Sequence, residues 1–92
     1  INIVTSVKEQ NEFLNAISLY PNPTKDVFDI ELSSGLESFD VEVYNQLGSV
    51  LKSRHASYTD KTTIDISELS SGIYYVVIKT KMGSVTKRVS KL

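Results

Sequence analysis

The chain ends on Gly72-Ile-Tyr-Tyr-Val-Val-Ile-Lys79, a Lys81-Met-Gly-Ser84 break and Val85-Thr-Lys-Arg-Val-Ser-Lys91, and this stretch decides the fold. β-branched and aromatic residues fill the first arm, Gly83 tolerates positive φ, and the second arm is shorter and more polar. The stretch predicts a β-hairpin. Because the first arm is apolar on both faces, we expect a central strand there, whereas the lysine-rich second arm belongs at a sheet edge.

Length and composition indicate one small domain. The sequence has 92 residues, 40% of them hydrophobic, and no cysteine. A chain of this length buries only about 60 to 65% of the surface of its unfolded form, which leaves no room for a deep two-lobed cleft. The lack of cysteine excludes disulfides and thiolate metal sites. Neither a signal peptide nor a membrane-spanning run is present, and the chain starts at Ile1, so we expect a fragment or tail of a longer protein.

The formal net charge of −1 hides an uneven distribution. Residues 1–68 hold all eleven acids and five of the ten bases, whereas residues 69–92 hold five bases and no acid. Those five are Lys79, Lys81, Lys87, Arg88 and Lys91. Two interpretations follow: a surface for an anionic partner such as nucleic acid, anionic lipid or an acidic protein, or lysines that protect an edge strand from aggregation.

Short segments of alternating hydrophobicity recur along the chain. In one of them, Phe28, Ile30 and Leu32 alternate with Asp29 and Glu31, the period-two pattern of a half-buried strand. The pattern predicts seven strands: Ile17–Tyr20, Val27–Leu32, Phe39–Tyr44, Ser49–Ser53, Thr62–Ile66, Ile73–Thr80 and Val85–Lys91. No convincing ten-residue helix is present. We therefore predict an all-β, immunoglobulin-like antiparallel β-sandwich over 17–92, preceded by a lead-in over 1–16, with a small barrel as the alternative.

The predicted connections have distinct chemistry. Pro21-Asn22-Pro23-Thr24 predicts a rigid corner, because each proline fixes φ and restricts the residue before it. Asn45-Gln-Leu-Gly48 predicts a four-residue turn, and the polar residues 53–61 predict a loop. We interpret Ser67–Gly72 as a helical or 3₁₀ turn, capped by its first residue, with Leu69 pointing inward.

Candidate chemistry is sparse. The one histidine, His55, lies in a segment expected to be a polar loop, which favours an exposed side chain over a catalytic base. Asp29, Glu31, Asp40 and Glu42 are expected to crowd one surface, either as a solvated face or as a Ca²⁺ site that has no recognisable binding loop. The residues alone therefore indicate a small extracytoplasmic-type β-sandwich that is not an enzyme. We predict no cofactor, and a metal only under the Ca²⁺ alternative.

Four sequence blocks carry a family resemblance: Leu19–Thr24, Val43–Gly48, Ile64–Tyr74, and Gly83 leading to Thr86–Val89. In this order and spacing, close to the carboxyl terminus, they resemble the type A C-terminal sorting domain of the type IX secretion system. The resemblance covers about four-fifths of the chain. Its fold-defining positions are Tyr20, Tyr44, Asn45, Gly48, Leu69, Gly72, Tyr74, Gly83 and Val89.

The resemblance implies a role in protein export. A domain of this family is the tail of a cargo protein in a Bacteroidetes-type bacterium. The secretion machinery and its shuttle barrel carry it from the periplasm across the outer membrane, and a surface sortase then removes it. The cargo ends at the cell surface or is secreted. The resemblance implies no catalysis, no nucleic acid and no membrane insertion. The alternative from another class is a fibronectin-like adhesion or carbohydrate-binding module, which an exposed aromatic row would favour.

The resemblance and the hairpin together give a recognition hypothesis. The last strand presents positive charge beside the terminal carboxylate, and the proline corner is the most rigid connection. The residues predicted to form the recognised surface are Pro21, Asn22, Pro23, Thr24, Lys87, Arg88 and Lys91.

Overall fold

The computed structural model describes residues 16–33, 35 and 37–92 of the protein. Seven strands account for most of this part: β1 (Ile17–Tyr20), β2 (Val27–Leu32), β3 (Glu37–Tyr44), β4 (Val50–Thr59), β5 (Lys61–Asp65), β6 (Gly72–Thr80) and β7 (Gly83–Lys91). Of the predicted lead-in, 1–16, only Ala16 is among the described residues. None of those residues belongs to a helix that could cross a bilayer.

The strands form two antiparallel sheets that pack face to face. One sheet has the order β1-β2-β5 and the other the order β4-β3-β6-β7. The predicted immunoglobulin-like antiparallel β-sandwich is therefore confirmed. The placement of the hairpin is confirmed too, because β6 lies between β3 and β7 whereas β7 is an edge strand.

The core lies between the sheets and is built from alternate strand residues. Phe28 and Ile30 on β2 and Val76 and Ile78 on β6 belong to this core, and all four are fully buried. Burying one such side chain contributes about 1.5 to 3 kcal/mol, so these strands supply much of the stability. The other core residues are Ile17, Leu32, Phe39, Val41, Val43, Ala56, Ile64, Ile66, Tyr74, Val85 and Val89.

The paired tyrosines of β6 point to opposite faces, as strand alternation requires. Tyr74 is in the core, whereas Tyr75 lies on the outer face with 38% of its surface exposed. The buried phenol of Tyr74 donates a hydrogen bond to the Ser70 carbonyl, 2.5 Å away. This bond resembles the tyrosine corner of Greek-key sandwiches and satisfies a hydroxyl that burial would otherwise penalise.

The prediction of a loop over 53–61 is wrong. Strand β4 continues to Thr59, and β5 begins at Lys61. The polar sequence was interpreted as a loop because it lacks hydrophobic alternation. Strand β4 lies at a sheet edge, and its buried side chain is the small Ala56. The Arg54 guanidinium extends to the neighbouring sheet, where its Nε donates to Thr62 Oγ1 at 2.9 Å.

Two predicted connection lengths are also wrong. β6 and β7 are joined by Lys81–Met82 alone, because Gly83 and Ser84 already pair with β6, and both arms are nine residues long. β3 and β4 are joined by five residues, 45–49, rather than four. The additional member is Ser49, whose carbonyl accepts the Asn45 N–H at 3.0 Å and so closes the loop.

The connection between β5 and β6 contains a single turn with the i→i+3 hydrogen bond of a 3₁₀ turn, one of the two predicted forms. The Leu69 N–H donates to the Ile66 carbonyl at 3.0 Å. The capping group is Asp65 and not Ser67, because Asp65 Oδ1 accepts the Ser67 N–H at 2.8 Å. The inward position of Leu69 is confirmed, since its side chain packs on the core.

The predicted four-acid surface is wrong, because the acids divide between the sheets. Asp29 and Glu31 lie on β2, in the three-stranded sheet, whereas Asp40 and Glu42 lie on β3, in the four-stranded sheet. The core separates the two pairs.

His55 is exposed as predicted, although it lies on β4 and not in a loop, and its Nδ1 is 2.7 Å from Asp40 Oδ1.

Strands β1, β3, β5 and β7 all finish at the same end of the sandwich. The three connections at this end are 21–26, 45–49 and 66–71, and the final residues Lys91 and Leu92 lie beside the first of them. We call this end the terminal pole. Three of the four family blocks, Leu19–Thr24, Val43–Gly48 and Ile64–Tyr74, each supply one of its connections.

Candidate recognition site at the terminal pole

The proline corner binds the backbone of the last strand. The Thr24 N–H donates to the Ser90 carbonyl at 2.9 Å, and the Leu92 N–H donates to the Thr24 carbonyl at 2.8 Å. Thr24 and Lys91 thereby form an isolated parallel bridge. The corner thus covers the terminal part of an edge that β7 would otherwise leave open to pairing with another chain.

Asn22 extends this contact with its side chain. Its Nδ2 donates to the Arg88 carbonyl at 2.8 Å, and its Oδ1 accepts the Ser90 N–H at 3.0 Å. A primary amide carries the same donor and acceptor as a peptide group, so Asn22 takes the place of one residue of a neighbouring strand. The motif residue Asn22 therefore closes a contact between positions 68 residues apart.

Thr24 is the buried member of the corner, with 2% of its surface exposed. Its hydroxyl donates to the Val27 carbonyl and holds the chain as it enters β2. Pro21 and Pro23 are exposed, and the peptide bonds that precede them are both cis. Neither proline has an N–H, so the donors that reach β7 come from Asn22 and Thr24.

The second connection of the pole is organised by Asn45. Its Oδ1 accepts the backbone N–H groups of Leu47 at 2.9 Å and Ser49 at 3.0 Å. Its carbonyl accepts the Gly48 N–H at 3.1 Å, and Gly48 has a φ of +89°. Glycine adopts this conformation without the steric cost that a Cβ brings.

The third connection is tied to β4 by an ion pair between Glu68 and Lys52. The Lys52 ammonium lowers the pKa of the Glu68 carboxyl. The hydrogen bonds from Ser67 likewise lower the pKa of Asp65. Glu68 of this connection and Asp65 at the end of β5 are therefore both engaged within the domain.

The structure divides the predicted basic residues between two faces. Lys87 lies on the core side of β7 and lines an open groove of about 470 Å³ between β1 and β7, with Asn22 and Arg88 on its rim. Arg88 points to the outer face, where it is the register partner of Tyr75. Lys91 is half-buried beside Thr24. The corner thus lies between these bases, although they do not form one continuous patch.

Among the described residues, these three bases lack the carboxylate contacts that some other lysines make, as do Lys25 and Lys81. Lys52, Lys61 and Lys79 each contact a carboxylate. Within residues 16–33, 35 and 37–92, no ion pair involves Lys87, Arg88 or Lys91. The terminal pole therefore offers positive charge that is free for a partner. The role of these residues in recognition stays a prediction.

The outer face of the four-stranded sheet carries a small polar network. Glu42 accepts the Tyr44 hydroxyl at 2.8 Å and contacts Lys79 Nζ at 3.1 Å. The hydrogen bond from Tyr44 and the nearby Lys79 lower the pKa of Glu42, while the same bond raises the pKa of Tyr44. Among the described residues, no three histidine or acidic side chains gather in a group that could hold a metal ion.

Sequence reasoning missed two features of the pole. One is the docking of Ser90 and Leu92 on the corner, which joins segments far apart in sequence and has no local pattern. The other is Leu47, a hydrophobic residue with 91% of its surface exposed. The Asn45 and Gly48 signals that predicted a turn could have identified Leu47 as its tip.

The domain is thus an antiparallel sandwich whose motif loops converge beside its docked last strand. A family model described as the secretion system C-terminal sorting domain matches residues 18–91, and the chain belongs to this family. The resemblance to the type IX secretion C-terminal sorting domain is thus confirmed. A search of curated proteins found no match. The family implies interaction with the secretion system and delivery to the cell surface or the medium.

Proposed function

We propose that this domain is the address by which a cargo protein is selected for type IX secretion, and that the machinery reads the terminal pole once the last strand has docked. The observation that carries the proposal is the set of hydrogen bonds between the corner residues Asn22 and Thr24 and the β7-end residues Arg88, Ser90 and Leu92. Those partners all lie in the final stretch of the 92-residue sequence. The docked surface is therefore assembled only after these residues have been synthesised.

The positive charge at the terminal pole supports the proposal that this surface is the one recognised. Lys87, Arg88 and Lys91 flank the corner and form no ion pair with the described residues. Unpaired bases on a small rigid surface accelerate encounter with an acidic partner and disfavour basic ones. An acidic receptor surface on the secretion machinery is therefore the partner that this site fits.

The expected route follows from membership in the family. The domain passes through the periplasm folded, is carried across the outer membrane by the shuttle barrel, and is then cut from the cargo by the surface sortase. The cut falls before the sandwich, in or near residues 1–16, which serve as the lead-in from the cargo to the sorting domain at 17–92. The domain is the substrate of this cleavage and performs no reaction itself.

The adhesion-module alternative has weaker support. The aromatic side chains that come nearest to forming a row are Tyr44 and Tyr75, which are register partners on β3 and β6. The hydroxyl of Tyr44 is already bound to Glu42, and Tyr44 is half-buried. A pair of this kind offers little stacking surface to a sugar chain.

The test is a reporter fused in front of residues 1–92 and expressed in a bacterium that has the type IX machinery. The variants change Lys87, Arg88 and Lys91 together to Ala, or, as the matched control, Lys61, Lys79 and Lys81 together to Ala. The control removes the same charge from the opposite end of the sandwich. Urea unfolding of each isolated domain verifies that it folds.

We expect the unchanged fusion and the control to reach the cell surface, and the terminal-pole variant to stay in the periplasm. Retention of the unchanged fusion would overturn the sorting function and favour the adhesion module. Normal export of the terminal-pole variant would overturn the assignment of these bases.

A further inference from the structure

Leu47 stands out among the exposed side chains of the terminal pole. It is the third residue of the β3–β4 connection, and 91% of its surface is exposed. Single exposed leucines are ordinary on protein surfaces, so exposure alone carries no function. The surroundings of Leu47 supply further observations.

The loop that presents Leu47 is preorganised. The Asn45 carboxamide accepts the N–H of Leu47 itself and that of Ser49, and two backbone bonds join Asn45 with Gly48 and Ser49. A loop held this way loses little conformational entropy when its tip is bound, which favours affinity. The tip therefore resembles a rigid anchor more than a solvated turn.

Among the described residues, most of the large exposed hydrophobic side chains lie at this end. Leu47 is one of them, whereas Tyr58 and Met82 lie at the opposite end. Those at or next to the terminal pole are Tyr20, Val27, Leu47, Val50, Leu51, Tyr75 and Leu92. Clustering of exposed apolar side chains marks interaction surfaces, in contrast to an even scatter.

An open groove of about 320 Å³ lies directly beside the tip. It runs between the 45–49 loop and the start of β6, and its lining includes Gln46, Gly72 and Ile73. The pole thus combines a protruding aliphatic side chain with an adjacent concavity. A protein surface of complementary shape can take the tip into a pocket and place a side chain of its own in the groove.

We propose that Leu47 is a hydrophobic anchor that inserts into an apolar pocket on a protein receptor of the secretion machinery. Carboxylates on the receptor surface around this pocket face Arg88, which lies on the outer face of the same sheet. This proposal rests on the proposed sorting function and adds a second recognition element to it. A protein fits better than a membrane, because one leucine side chain with a few bases gives only marginal attachment to a bilayer.

The test compares Leu47→Ser with Leu47→Met and with the control Met82→Ser. Met82 is a 59% exposed apolar residue in the hairpin loop at the opposite end, so the control makes a similar change away from the pole. Each variant is measured as the reporter fusion for surface display. Each is also titrated, as the 92-residue domain, against detergent-solubilised outer membranes of a bacterium that has the machinery and against vesicles of anionic phospholipid.

We expect Leu47→Ser to bind the solubilised outer membranes about ten- to a hundredfold more weakly and to lower export, since burying a leucine contributes about 1.5 to 3 kcal/mol. Leu47→Met should restore most of the binding, and Met82→Ser should behave like the unchanged domain. Because Leu47 contributes nothing to the core, all three variants should unfold at the same urea concentration.

Three results would overturn the anchor: unchanged binding and export for Leu47→Ser, an equal loss for Met82→Ser, or a loss confined to the phospholipid vesicles. If any of these is obtained while the unchanged fusion is exported, the anchor proposal is wrong and the sorting function is unaffected. Failure of the unchanged fusion itself counts against both.

Discussion

The side chain of Asn22 accepts the backbone N–H of Ser90 at 3.0 Å and so ties the first corner of the sandwich to its last strand. The same carboxamide donates to the carbonyl of Arg88. A motif that looks local in the sequence, Pro-Asn-Pro-Thr, therefore completes the edge of a strand formed at the other end of the chain. Under the proposed function, this contact serves both recognition and stability, so variants must be designed to separate the two.

Replacing Asn22 tests the contact itself. Asn22→Ala removes both hydrogen bonds and should lower the free energy of unfolding by about 1 to 2 kcal/mol, because two exposed strand groups lose a protein partner to water. Asn22→Asp keeps the acceptor for Ser90 but places a carboxylate against the Arg88 carbonyl, so it should not restore full stability. Urea unfolding of the isolated domain measures both effects. Equal stability of all three proteins would show that the carboxamide does not secure the strand.

Removing Lys91 and Leu92 tests whether docking of the last residues matters for recognition. The truncated domain keeps Val89, the final core residue, and should remain folded. It loses the bond from the Leu92 N–H to Thr24 and the bridge at Lys91, so the corner should open more often. We expect faster hydrogen exchange at the Thr24 amide and reduced export of a reporter. Normal export of a domain whose corner is loosened would show that recognition does not require docking of the last residues.

Gly48 tests the preorganisation of the β3–β4 loop. Nothing lies near the position of an added Cβ, so the cost of a side chain there comes only from its φ of +89°. Gly48→Ala should lower the free energy of unfolding by about 1 to 2 kcal/mol, and Gly48→Asn by less, because asparagine tolerates left-handed backbone. Thermal unfolding of the two variants provides the comparison. The prediction fails if asparagine is the more destabilising of the two.

Much of this fold could be predicted from the sequence. Alternation on β2 and the apolar run of β6 identified the strands, because burial on one or both faces leaves a direct pattern. The polar edge strand β4 was predicted too short, since Ala56 is its buried residue. The acids on β2 and β3 were placed together because alternation indicates which face a residue occupies, and not which sheet it belongs to.

The candidate site, like the fold, could be predicted from the sequence only in part. The turn residues Asn45 and Gly48 and the corner residues Asn22 and Thr24 were visible as motifs. Their partners were not, because the hydrogen bond from the Ser90 N–H to Asn22 Oδ1 depends on tertiary packing of the two sheet edges. The division of Lys87 and Arg88 between opposite faces follows from strand alternation, once the inward position of Val89 is known.

The network around Glu42 predicts a dependence of stability on pH. Its pKa is lowered in the folded protein by the hydrogen bond from Tyr44 and by Lys79. Its stabilising contribution is therefore present above the ordinary glutamate pKa of about 4.3, and it is lost as the pH falls through the lower folded-state pKa. Glu42→Gln should melt at a lower temperature than the unchanged domain at neutral pH, and the difference should vanish in strong acid. A difference that persists in strong acid would assign the effect to packing and not to charge.

The central claim, that the export machinery reads the terminal pole, is tested most directly by photocrosslinking in living cells. A photoreactive phenylalanine analogue replaces Leu47 or Tyr75 at the pole, or Tyr58 or Met82 away from it; all four positions are exposed. We predict adducts with components of the secretion machinery from the two pole positions and none from the other two. Adducts that form equally from both ends of the sandwich, or only from Tyr58 and Met82, would contradict the account.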